Sequence, residues 1–396
     1  MVQFLLRERD TSQALKGRTF RCAVQHLLLL SSRAGLGPRG ICFSAFCGTL
    51  LISALLLAPL PVFAHGKPKT TTVEVPQLLL EGGRTLTYQR SLGSDRDVRG
   101  KPGLFTKVFD FVVGAPDFHF LVRPYSVVED SRGRVIVTDP GAQGVHIFDI
   151  AQQKYKFIER SDKSKDPMLA PQCVAVDDKD NIYVTDSEAG KIFVFNSDGK
   201  YQHALGSLKG GEGFFKRPTG IAVDSAGQRI YVTDTLRDKI YVLDMSGSVL
   251  QTIGQSGDKD GEFHYPTELH LAGNNLLVVD AMNFRVQVLD RSGQFQYKIG
   301  SIGDDPGAMF RPKGVGIDSE GHVYVVEGSL GMVEVFDSEG RLLYYFGQEG
   351  SGLGDFRLPS GLFIDRDDRV FVVDSYNHRV EMFQYRGLKA GKGGVQ

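Results

Sequence analysis

Apolar residues along most of the chain come in short runs rich in Val, Ile, Tyr and Phe, separated by Gly, Asp and Ser. One stretch shows the pattern: "RPTGIAVD" (217–224), "RIYVTD" (229–234), "KIYVLD" (239–244) and "VLQTIG" (249–254). Brief β-branched and aromatic runs bounded by turn residues predict strands rather than helices. Most runs are apolar on both faces, which predicts sheets covered on both sides.

The runs recur with a fixed period. A proline heads the first run of each unit at Pro124, Pro171, Pro218, Pro266, Pro312 and Pro359, in steps of 47, 47, 48, 46 and 47 residues. An acidic residue closes the second run at Asp139, Asp186, Asp234, Asp280, Glu327 and Asp374, in steps of 47, 48, 46, 47 and 47. Two markers that share one period over six units predict a repeat architecture. Four antiparallel strands per unit, packed radially, give an all-β, six-bladed β-propeller. The sixth unit stops after its third run, at "VEMFQYRG", while "TLTYQRSLG" (85–93) ends in the Leu-Gly that also closes the fourth run at Leu205-Gly206. The early segment is therefore expected to complete the last blade, so that no sheet edge stays open.

These signals divide the chain into a leader (1–64), a linker (65–83), a propeller (84–387) and a polar Gly/Lys tail (388–396), expected to be flexible. Within the propeller lie the closing strand (85–93), an insertion (94–117) and the repeats from about residue 118. In the insertion, Leu104, Val108 and Phe111 follow helical spacing, which predicts a short apolar helix that plugs one end of the channel or docks a partner.

Charge and cysteines narrow the function classes. The leader holds 7 Lys/Arg and 2 Asp/Glu, which leaves 39 basic against 45 acidic residues downstream, a net of about −6. A nucleic-acid partner, which favours a basic surplus, is not expected. Cys22, Cys42 and Cys47 lie in the leader, so Cys173 stands alone in the propeller and has no internal disulfide partner. The leader itself runs uncharged from Ile41 to Phe63 and ends in Val62-Phe63-Ala64. It reads as a secretory signal cleaved after Ala64, or else as an uncleaved membrane anchor. Both readings place the propeller outside the cytoplasm, periplasmic or secreted, and touching a membrane only through an uncleaved leader.

The units resemble NHL repeats, named for an Asn-His-Leu triplet, over roughly residues 118–386. "RPTGIAVD…IYVTDTLRDKIYVLD" and "LPSGLFIDRDDRVFVVDSYNHRVEMF" carry the likeness, with the triplet standing as Asn377-His378-Arg379. The resemblance implies a six-bladed propeller. It does not choose a function, since the family spans RNA-binding propellers, extracellular sensors, a zinc-dependent amidating lyase and many exported bacterial proteins.

Candidate chemistry must be separated from the repeat. A basic residue follows the acidic one by five positions in four units: Asp186/Lys191, Asp234/Lys239, Asp280/Arg285 and Asp374/Arg379. Four copies around a ring predict structural ties across the turn. Units one and five break this pattern with Gly144 and Met332. No two histidines of the repeats share an offset from their proline, so no zinc ring, and no other cofactor, is expected. Neither G-x-S-x-G nor a phosphate-cradling loop occurs, and no catalytic residue is assigned.

The informative positions are departures from the repeat. Two residues after the proline stand Gly220, Gly314 and Gly361, but Ser126, Cys173 and Glu268 elsewhere; four after it stands His270 among mostly small residues. Glu268 and His270 are expected on one face of an innermost strand, near the axis. Arg123, Arg217, Arg311 and Lys313 flank the same strand starts and are expected to make one channel mouth positive. The function that follows is a binding scaffold of the cell envelope, holding a protein partner or small ligand at the channel mouth. A lyase or hydrolase built on Glu268 and His270 is the alternative.

Overall fold

A computed structural model describes residues 76–99, 118–159, 167–303 and 305–387. The leader, most of the insertion with its expected helix, and the tail lie outside the described residues.

Six antiparallel sheets form the blades of a β-propeller. The innermost strands are Ser126–Glu129, Pro171–Val176, Pro218–Asp224, Pro266–Ala272, Pro312–Ile317 and Pro359–Ile364. Each is followed by its second, third and outer strand, except in blade six. There the outer strand is Thr85–Leu92, paired antiparallel with Arg379–Arg386, so the two ends of the propeller share one sheet. A further short strand, Gln77–Leu79, adds to its far side from the segment read as linker. Its three residues carry too little periodicity to be recognised in sequence.

The apolar faces pair between blades. Six buried clusters occupy the six interfaces between neighbouring blades, for example Ala222, Tyr231 and Val242 of blade three against Leu269, Leu276 and Val278 of blade four. Three residues before each blade's proline, a large apolar side chain is buried: Leu121, Met168, Phe215, Phe263, Met309 and Phe356. These residues anchor the loop that crosses from one blade to the next.

The acidic residues that mark the period have no exposed surface in any blade. Each carboxylate accepts backbone N–H groups from the segment just before its own blade's inner strand. Asp139 takes Val122 (2.6 Å) and Arg123 (3.0 Å), Asp186 takes Leu169 (2.6 Å), and Asp234 takes Lys216 and Arg217 (2.9 Å each). Asp280 takes His264 (2.7 Å), Glu327 takes Phe310 and Arg311 (2.9 Å each), and Asp374 takes Arg357 (2.7 Å). A buried carboxylate needs such donors, and charge-assisted bonds of this kind are the strong ones.

The accompanying cations vary more than the clamps. Arg285 reaches Asp280 at 2.9 Å and Arg379 reaches Asp374 at 2.8 Å, and both guanidinium groups also donate to carbonyls of the preceding loop. Asn377 donates to Asp374 Oδ2 (2.7 Å) and to Gly350 O (2.8 Å), so the Asn and Arg of the triplet both hold that loop. Lys191 stands directly opposite Asp186 in the strand register. In blade three the cation at Asp234 is Arg237 (3.2 Å), not Lys239, because the single-turn helix Thr235–Arg237 brings its last residue back over the carboxylate.

Blades one and five solve the missing cation differently. In blade one, the Phe157 ring fills the space beside Gly144, where a Cβ would stand 2.3 Å from the ring. His146, on the same strand, brings Nε2 to 3.5 Å from Asp139 and shares a 2.8 Å hydrogen bond between Nδ1 and Tyr155 Oη. Burial pushes Asp139 up, but the His146 contact and the backbone donors outweigh it and hold the carboxyl below its ordinary value. In blade five, Met332 supplies no charge, and Glu334 is buried with Oε2 unpartnered. Burial, with a smaller push from Glu327, raises its carboxyl to about 7.

A carboxyl raised in the folded state contributes stability that is complete below its unfolded value, near 4.5, and is lost as pH climbs through about 7. Glu334→Gln should therefore match the wild type at pH 4.5 and be more stable at pH 8, by about 1–3 kcal/mol. Urea unfolding at the two pH values reads the difference. An equal effect at both would show that ionisation of Glu334 is not the cause.

Candidate functional site

The inner strands line an axial cavity of about 1120 Å³. Its wall combines small and apolar residues, such as Val128, Ala175, Ala222 and Phe363, with polar ones. Glu268 and His270 are the ionisable groups on that wall; eleven carboxylates, Glu268 among them, and three arginines line the whole, most of them at the rim where the inner strands end. Many rim carboxylates join blades, as in Asp180 to Ser131 Oγ (2.8 Å), Asp224 to Arg291 (2.5 Å) and Asp368 to Ser319 Oγ (2.6 Å).

A β-bulge explains why Glu268 reaches the axis. In blade four, Pro266 pairs with Asp280 and Leu269 with Val278, so two residues, Thr267 and Glu268, oppose the single Val279. The extra residue turns side chains out of the regular alternation. The same register shift occurs in blades two, three, five and six. In three of those the residue at the position of Glu268 is glycine, because the neighbouring blade's backbone is too close. A Cβ would stand 2.8 Å from Leu269 N at Gly220, 2.6 Å from Ser360 O at Gly314 and 2.6 Å from Tyr125 O at Gly361.

Those glycines leave one arc of the ring to side chains. With Gly220 between them contributing none, Cys173 of blade two spans to blade four and donates Sγ–H to Glu268 Oε2 at 3.1 Å. Glu268 is packed densely yet keeps part of its surface in the cavity. Burial raises its carboxyl to about 7, against smaller downward pulls from Cys173 and Lys313. His270 also keeps some surface in the cavity, and burial lowers its imidazole to about 4, so it is neutral at physiological pH. Cys173 has no exposed surface, and burial together with Glu268 pushes its thiol well above the ordinary range.

On the opposite side of Glu268 lies the basic mouth. Lys313 is half-buried, and its amine is lowered first by burial and then by Arg311 and Arg217. Tyr125 feels Cys173, Glu268, Arg217 and Arg311, and burial raises its phenol. Five of the residues singled out in sequence or beside them thus converge: Tyr125, Arg217, Glu268, Arg311 and Lys313. Arg123 starts blade one, exposed, and is not among the charges that act on this group. His270 faces the cavity on the far side of Glu268, away from the arginines. Tyr125 and Cys173 escaped sequence reasoning as a pair with Glu268, because only the empty Gly220 position joins them.

The comparisons with known proteins agree with this architecture. The NHL repeat family matches residues 356–383, within blade six, and the DUF5128 family, described as a 6-bladed beta-propeller, matches residues 170–256. The chain is a six-bladed β-propeller that carries an NHL repeat. No curated protein matches the sequence. Among solved structures, a Bacteroides thetaiotaomicron structural genomics protein of unknown function is 14% identical, with a TM-score of 0.54 over 78% of this chain and 84% of that one. A gluconolactonase from Xanthomonas campestris is 17% identical, with a TM-score of 0.51 over 77% and 90%. An auxiliary nutrient binding protein from Bacteroides thetaiotaomicron is 13% identical, with a TM-score of 0.51 over 67% and 70%. At such identities the likeness is one of fold.

The thiolate is the reactive form of cysteine, so a buried thiol with a raised value is inert. In the folded chain at pH 8, iodoacetamide should label Cys173 at least about a hundredfold more slowly than in urea. Mass mapping of the peptide that contains Cys173 reads the rate. Equal rates in the two states would overturn the buried, carboxyl-bonded thiol.

Proposed function

We propose that the chain is an exported propeller that binds a small ligand, or a protruding group of a protein partner, in its axial channel within the cell envelope. The observation that carries this reading is Glu268. It is an ionisable side chain on an innermost strand, where the corresponding residues are otherwise small, and it stands where the axial cavity meets the basic mouth. A deep concave cavity whose wall carries an ionisable group with a displaced pKa has the form of a ligand site. The leader supports export, and the net negative charge of the propeller disfavours RNA.

A second reading rests on the same residue. A carboxyl near 7 is suited to give or take a proton at neutral pH, as a lyase or hydrolase requires. Fold does not decide between the two, since propellers of similar fold include both a gluconolactonase and a nutrient binding protein.

Native mass spectrometry of the full chain, purified from its own envelope, tests the proposal. The wild type should carry an added mass or partner that the double variant Glu268→Gln/His270→Ala loses, and its N-terminus should be His65 if the leader is cleaved. The same species on both proteins would refute the channel as the site. Retention by Glu268→Gln of a molecule that only the wild type converts would favour the enzyme.

A further inference from the structure

We propose that Arg217, Arg311 and Lys313, with the unbonded hydroxyl of Thr267 between them, form an oxyanion site at the basic mouth, so that the ligand carries a carboxylate or phosphate group there. The inference rests on the reading that the channel holds a ligand, and adds its chemical class.

The placement follows from the ring. Arg217 precedes the inner strand of blade three, Thr267 is the second residue of the inner strand of blade four, and Arg311 and Lys313 flank Pro312 at the start of blade five. Blade four lies between the other two, so the three cations bracket Thr267. The backbone N–H groups of Arg217 and Arg311 are pinned by Asp234 and Glu327, which fixes where both side chains begin. Arg311 and Arg217 act on the Lys313 amine as close positive neighbours. No carboxylate of the described residues pairs with Arg217, Arg311 or Lys313, although most buried acids nearby have found a cation or backbone donors. Glu327 and Glu268 offset this with smaller pulls on Lys313, and the exposed Arg217 and Arg311 remain free to meet an anion that would relieve the repulsion among the three cations.

Thr267 is a second, independent observation. In blade three the equivalent hydroxyl, Thr219 Oγ1, bonds to Thr233 (2.9 Å) and Thr235 (2.7 Å); in blade six, Ser360 Oγ bonds to Ser375 (2.8 Å) and to Tyr125 O (2.7 Å). Blade four has Val279 and Ala281 where blade three has Thr233 and Thr235, so Thr267 Oγ1 is buried without a partner. A buried hydroxyl left unbonded is costly, and rotation about χ1 toward an incoming acceptor would satisfy it. Guanidinium groups suit an oxyanion because their N–H pairs match two oxygens at once. Glu268 beneath does not veto the anion, since its raised carboxyl is about half protonated at pH 7 and largely neutral a unit or more below it.

Calorimetric titration of the full chain with inorganic phosphate and with citrate tests the site, with tetramethylammonium chloride as the cationic control. Saturable binding of at least one anion, and none of the cation, is expected. Arg217→Gln and Arg311→Gln should each weaken it roughly tenfold or more, and the double variant should abolish it. Arg341→Gln, in the turn before the outer strand of blade five, should leave it unchanged. Thr267→Val should weaken it several-fold while melting no lower than the wild type, because it removes an unbonded hydroxyl. Thermal melts of every variant confirm folding. Absence of saturable anion binding to the wild type, or binding that survives the double arginine variant, overturns the oxyanion site. Should native spectra still show a Glu268-dependent ligand, only its chemical class is wrong; should they show none, the channel reading fails with it.

Discussion

A buried carboxylate that catches the backbone just ahead of the inner strand is the contact on which the rest of this propeller depends. It occurs once per blade, always at the end of the second strand, and always with no exposed surface. Its acceptor atoms satisfy N–H groups that the sheet cannot, where the chain turns inward toward the axis. Because the proline follows directly, the clamp and the fixed proline φ together set the point from which every inner strand starts. The blades then pack through their aliphatic faces, and the early strand Thr85–Leu92 joins the two ends of the propeller.

The clamp is tolerant of how its charge is balanced. Arg285 and Arg379 do so from the third strand and Arg237 from the turn, while in blade one the His146 ring stands 3.5 Å from Asp139. Blade five has Met332 at the cation's position and a second buried acid, Glu334, whose carboxyl is raised first by burial and then by Glu327. What recurs is the set of backbone donors. A carboxylate supplied with main-chain N–H groups keeps its place whether or not a cation follows, and where Arg285 or Arg379 is present it adds bonds of its own to the preceding loop.

Much of this was legible in the sequence because it repeats. Proline and acid at one period fixed the number of blades, and the missing fourth strand of the last unit pointed to residues 85–93. The site was legible only as departures: Glu268 and His270 stood out as the ionisable residues at offsets that other blades fill mostly with small ones. What could not be read was anything that depends on two blades meeting. The bulge at Thr267–Glu268 leaves no trace in composition, and Cys173 meets Glu268 only because Gly220 between them has no side chain. Arg237 replaced Lys239 because a turn, not a strand register, decides which cation arrives. The opposite placement of His270 and the arginines about Glu268 also needed the ring.

Blade four gathers most of these departures: the carboxyl at Glu268, the imidazole at His270 and the unbonded hydroxyl of Thr267. Glu268 and His270 replace residues that are small in most other blades, and polar groups that break a repeat in this way are the ones a fold retains for function. The double substitution Glu268→Gly/His270→Ala returns blade four to the pattern of its neighbours and so separates the two roles. Its unfolding in urea at pH 8 is the most direct measurement of the central claim. Stability within about 1 kcal/mol of the wild type, or above it, is expected, together with loss of the channel ligand. A loss of several kcal/mol would show that Glu268 and His270 hold the ring together, and would contradict that claim.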